Sequence, residues 1–173
     1  MKKYLLLIFL LGTLLMMLVM EKTGASLKTT ATPLGILNLE FANNTTKITT
    51  VLNAWAPTPP ADNIEAAINN TYYDFLFLFF YAFFLFFACK KIASVINGFL
   101  ANAGNIIAVM ALLAGFFDVL ENTGMLLSLN GHTAGGIAFL TTFFSVIKWC
   151  FVIVAVLYVL TGVLILAYRK LKN

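Results

Sequence analysis

The stretch that decides the fold is Ala103-Gly-Asn-Ile-Ile-Ala-Val-Met-Ala-Leu-Leu-Ala-Gly-Phe-Phe-Asp118-Val-Leu-Glu121-Asn122-Thr-Gly-Met-Leu-Leu-Ser-Leu129. It is long enough to cross a bilayer, which takes roughly 20 mostly apolar residues. Yet it carries two acids and an amide in its second half. Gly104, Ala108, Ala111 and Gly115 recur at spacings of four, three and four, so they share one helix face. In lipid, small residues let a neighbouring helix approach closely, because no hydrophobic force drives helices together there. The same register continued gives Asp118 and Asn122, which places both toward a bundle interior. Glu121 lies about 60° around the helix from Asp118, on the flank of that face.

Three further apolar runs accompany it: Tyr4 to Met20, about Tyr72 to Cys89, and about Ala134 to Tyr168. The whole chain agrees with this reading. Of its 173 residues 61% are hydrophobic and 10% charged, against roughly 25% charged in a soluble domain, and its mean hydropathy is +0.94. Such a composition excludes a soluble enzyme, a nucleic-acid binder and a disordered chain. The expected fold is an all-α membrane protein, a four-transmembrane-helix bundle forming one membrane domain over residues 1–173. A long extracytoplasmic loop from Glu21 to Asn70 carries short amphipathic helices.

Lys and Arg placement sets the expected orientation. Lys2 and Lys3 precede the first span, Lys90 and Lys91 close the second, and Arg169, Lys170 and Lys172 follow the fourth, which is seven of the eleven basic residues. Both termini are therefore expected in the cytoplasm and the long loop outside. The first run could be a secretory signal. Its 17 apolar residues exceed the 7–15 of a usual signal core, and Thr23-Gly24-Ala25 is a poor cleavage site, so an uncleaved anchor is expected.

Within the loop, Asn44-Thr45-Thr46 offers a cap to a helix whose Ile48, Val51, Leu52 and Trp55 share one face. Pro57, Pro59 and Pro60 end it, and Asp62 is read as capping a second short helix through Ile64, Ala67 and Ile68. Glu40 is counted among the loop acids that balance Lys22, Lys28 and Lys47.

The candidate site is a polar cluster. Charges at bilayer depth cost about 2.5–3.5 kcal/mol or more each, so they pair or face a cavity. Asp118 precedes the end of its span by 11 residues, and Lys148 follows Ile137 by 11, so antiparallel neighbours bring them to one depth. Lys148 is expected to pair with Asp118 or Glu121, leaving the other acid over, with Asn122 nearby and Asp74 lining the pocket. Such a cluster serves either as a structural ion pair that orders the bundle or as a binding pocket. No metal-ligand cluster, phosphate loop or nucleophile–base set is visible, so no metal and no cofactor is expected. Cys89 and Cys150 fall in separate apolar runs and read as free thiols.

Four segments also resemble a widespread group of small, uncharacterised bacterial four-span membrane proteins. They are Leu39-Glu40-Phe41-Ala42 with Val51-Leu52-Asn53-Ala54-Trp55; Tyr73-Asp74-Phe75 leading to Tyr81-Ala82; Leu113 to Asn122; and Ile147-Lys148-Trp149. The resemblance covers about Ile36 to Leu160. Its most specific element is the Asp-x-x-Glu-Asn triplet of Asp118, Glu121 and Asn122, followed by Lys148. It implies a bacterial inner-membrane location and the same four spans, and supplies no mechanism. Three functions stay open: a binding or assembly module, partnered by the bilayer and by another membrane protein or a second copy; a lipid-modifying enzyme using the acids; and an oligomeric transporter or channel.

Overall fold

The computed structural model describes residues 3–56 and 63–172, with Lys3 known by its backbone alone. Met1, Lys2, residues 57–62 with the expected Asp62 cap, and Asn173 lie outside the described residues. Four helices are long and apolar enough to cross a membrane: α1 (Lys3–Thr23), α4 (Asn63–Ala93), α5 (Phe99–Leu129) and α6 (Gly135–Lys172). Between α1 and α4 lie a single 3₁₀ turn (Ala25–Leu27), the one-turn helix α2 (Leu37–Glu40) and α3 (Thr45–Trp55). The chain is thus an all-α bundle with short helices at one end.

The helices α4, α5 and α6 pack in chain order, and α1 lies along α4 alone. The small residues explain the close contacts. A Cβ on Gly115 would sit 2.9 Å from that of Ala82, and one on Gly104 would run into the Tyr158 ring. Ala108 and Ala111 of α5 and Ala155 of α6 are fully buried with Leu85, Cys89 and Ile92 of α4. Against α4, α1 sets Phe9 into a cluster with Phe79, Phe80, Phe83 and Phe87, ring centroids 5.3–6.2 Å apart. Lys90, Lys91, Arg169, Lys170 and Lys172 lie at one end of the bundle, the basic end. The opposite, loop end holds α2, α3 and the α5–α6 turn, where Gly131 has φ +91°.

One boundary departs from the sequence reading. The second span was expected from about Tyr72, with a separate short helix before it. Instead Ile64, Ala67 and Ile68 form the first turns of α4, continuous with the apolar run that follows. Two of its polar residues donate hydrogen bonds without breaking the helix. Asn70 Nδ2 donates to Met20 O (3.0 Å) and Thr23 Oγ1 (2.7 Å), closing the end of α1, and the Thr71 hydroxyl donates to Ala67 O.

The loop is a packed cap. Asn44 Oδ1 accepts from Lys47 N at 2.9 Å and starts α3. Ile48, Val51 and Trp55 then turn inward onto Leu27, Leu39, Ala67, Met125 and Ala138. Trp55 is fully buried, and its indole N–H donates to Leu27 O (3.0 Å) and Thr32 Oγ1 (3.1 Å). This cap fixes the position of α2 over the bundle.

Candidate functional site

Lys148 is the centre of the site. It stands on the inward face of α6, one turn beyond the buried Ser145. Three carboxyl groups from two elements surround its ammonium: Glu121 Oε2 at 2.7 Å, Asp118 Oδ1 at 3.0 Å and Glu40 Oε2 at 3.6 Å. Lys148 is 6% exposed, Glu40 6%, Asp118 2% and Glu121 fully buried. The ammonium donates a hydrogen bond to Asp118. Glu121 Oε2 lies off the line of a hydrogen bond from it, so that contact is ionic, and Glu121 Oε1 has no hydrogen-bond partner.

Two of the three acids, Asp118 and Glu40, are held from a second side. Tyr81 of α4 donates to Asp118 Oδ2 at 2.6 Å. Ser145 Oγ and Trp149 Nε1 of α6 donate to Glu40 Oε2, both at 3.2 Å, while Thr142 Oγ1 donates to the Glu40 carbonyl at 2.9 Å. Asn122 Nδ2 donates to Asp74 Oδ2 at 2.7 Å, tying α5 to α4. The structure therefore gathers Asp118, Glu121 and Lys148 in direct contact. Asp74 and Asn122 form a linked pair beside them.

Two expectations change. Lys148 was expected to take one acid and leave the other, and it takes both, because the helix pair is close enough for Glu121 on the flank to reach it. Glu40 was counted as a loop charge and is instead a member of the cluster. A signal for it existed in the sequence. Glu40 is the only acid in the apolar run Ile36-Leu-Asn-Leu-Glu-Phe-Ala42, and an acid set among apolar residues needs a partner. Tyr81 had a similar signal, as the single hydroxyl in the Phe-rich run 75–87. A buried Tyr hydroxyl usually finds a hydrogen-bond partner.

The cluster sits at the end of a cavity of about 420 Å³. Thr13, Met17 and Met20 of α1 form one wall, and Trp149, Val152 and Val156 of α6 the other. Phe77, Tyr81, Phe84 and Leu85 of α4 make its floor, and Leu37 and Glu40 of α2 roof the loop end. Asp74, Asp118 and Lys148 reach it as well. The helix order explains its presence: α1 and α6 flank α4 without packing along each other, and side chains narrow the gap without filling it. Cys89 and Cys150 are free. Among the described residues no three His, Cys, Asp or Glu side chains are arranged to hold a metal ion; the Lys148 ammonium takes the position between the acids. Neither a protein-family model nor a curated protein nor a solved structure matches this chain.

Proposed function

We propose that this chain is a membrane-embedded binding module that takes an amphipathic ligand from the lipid phase into the cavity between α1 and α6. One observation carries the reading. An apolar cavity of about 420 Å³ ends on charged side chains, within the roughly 300–1,000 Å³ of small-molecule pockets, which are mostly apolar with a few placed polar groups. A purely structural ion pair needs no such space beside it.

The orientation belongs to the same proposal. The Lys/Arg distribution supports both termini in the cytoplasm and the cap outside, and the resemblance adds a bacterial inner membrane to the proposal. The site then lies in the outer half of the bilayer. Membership of the four-span group that the triplet resembles is part of this reading too. In intact cells, a cysteine replacing Lys91 is expected to resist an impermeant thiol reagent added outside, in a background lacking Cys89 and Cys150. Labelling there would reverse the topology.

A second reading, a lipid-modifying enzyme, draws on one feature. The Tyr81–Asp118 hydrogen bond is short and faces the cavity, an arrangement suited to general acid–base work. Native mass spectrometry of the protein extracted from its membrane tests the first reading. One bound amphiphile per chain is expected on the wild type and none on Val152→Trp, which fills the cavity. Equal adducts on both, or none on the wild type, would contradict it. Recovery of a chemically altered amphiphile after incubation would favour the enzyme.

A further inference from the structure

We infer that the cavity selects a single-chain amphiphile with a primary ammonium head. This rests on the binding reading above and names the ligand class. A lysine ammonium has three protons and no acceptor, and those of Lys148 face Asp118, Glu121 and Glu40. No cationic donor is left over at the cavity end for a phosphate or carboxylate head.

Acceptors, in contrast, are in surplus. Glu40 lines the cavity and is 94% buried, being 6% exposed. All its side-chain contacts engage Oε2, so Oε1 has no hydrogen-bond partner among the described residues. Asp74 also lines the cavity, and its one hydrogen bond, from Asn122, is at Oδ2, leaving Oδ1 free of one among the described residues. Neither oxygen is sealed inside the protein, so both stay reachable from the cavity, and a head group with several N–H donors supplies what they lack.

Charge counting points the same way. Four carboxyl groups, those of Glu40, Asp74, Asp118 and Glu121, share one ammonium. Burying uncompensated charge costs several kcal/mol per ion, so protons or a bound cation must supply the balance. No three acids are arranged to hold a metal ion among the described residues. Apart from Thr13, Tyr81 and Trp149, the remaining walls are methionine, phenylalanine, leucine and valine, which suit one hydrocarbon chain. An organic cation with an apolar tail satisfies both ends of the cavity.

The test uses the full chain in maltoside micelles and three probes of equal chain length: dodecylamine, dodecanol and dodecyl phosphate. The readout is tryptophan emission, because Trp149 lines the cavity and donates to Glu40, whereas Trp55 is buried in the cap. Dodecylamine is expected to give a saturable change and the other two to bind at least tenfold more weakly. Glu40→Gln is expected to weaken the amine at least tenfold and to leave dodecanol unaffected. Should Glu40→Gln fail to fold, Asp74→Asn on the other side of the cavity is read in its place. Equal binding of the three probes, or amine binding unchanged in the folded variant, overturns the ammonium assignment and leaves the cavity reading standing. No saturable response to any probe overturns both.

Discussion

The inward stripe of α5 is used differently in its two halves. Toward the basic end it is Gly104, Ala108, Ala111 and Gly115, and the partner surfaces on α4 and α6 are small or apolar except for Tyr158, whose hydroxyl donates to Leu100 O. Toward the loop end the same face carries Asp118, Glu121 and Asn122, opposed by Tyr81 and Asp74 of α4 and by Ser145 and Lys148 of α6. The inward face of α6 changes in step, from Thr141, Ser145 and Lys148 to Ala155 and Gly162. The lesson is that one register does two jobs. Small residues fix how closely the helices approach, and that approach delivers charged groups at a common depth, where water is scarce and they must satisfy one another.

The sharpest way to break this contrast is Lys148→Met. It keeps the side-chain volume near constant and leaves three acids without their cation. The expected loss in unfolding free energy is about 3–5 kcal/mol, as for one partner removed from a buried pair. Reversible unfolding in detergent, followed by circular dichroism, measures it. A change below about 1 kcal/mol would mean that the polar half does not depend on its ion pairs.

In the small-residue half the matching test is Gly115→Ala. Helix propensity favours Ala by roughly 1 kcal/mol, but the new Cβ would meet that of Ala82 at 2.9 Å. Overpacking costs about 1–3 kcal/mol, so a net loss is expected. The double variant Gly115→Ala with Ala82→Gly should recover part of it. Gly136→Ala is the control, because a Cβ there has nothing within 4 Å, and no loss is expected. If Gly115→Ala were also neutral, close approach would not be what the stripe provides.

The spans were legible because apolar length alone identifies them, and the α5 stripe was legible because its spacing survives for five turns. Glu40 was not, since charge balance along the loop made it look solvated. What moves it into the bundle is a tertiary contact. The cap around Trp55 seats α2 over α6, and Thr142 and Ser145 then bind its backbone and carboxyl. The start of α4 was missed for a related reason. Asn69-Asn70-Thr71 reads as loop by composition, yet Asn70 serves the end of α1, a partner 50 residues away in sequence. The cavity had no sequence signal, because it arises from how α1 and α6 are spaced around α4.

A gentler perturbation sharpens the role of the cap. Trp55→Phe removes the indole N–H but keeps most of the ring. Leu27 O still accepts from Thr32 Oγ1 at 2.8 Å, so no carbonyl is stranded and the loss is expected near 1 kcal/mol, that of one ordinary hydrogen bond. A larger loss in unfolding free energy, accompanied by lower helix content, would indicate that the cap holds the bundle together and does more than seat Glu40.

A residue of the loop, Glu40, completes the charged cluster built by the long helices. A double-mutant cycle between Glu40→Gln and Lys148→Met in unfolding free energy tests it most directly. The two losses are expected to be non-additive, with the double variant less damaged than the sum by about 0.5–3 kcal/mol, the range for residues in one network. Additivity within about 0.3–0.5 kcal/mol, the behaviour of distant sites, would contradict the claim and return Glu40 to the loop.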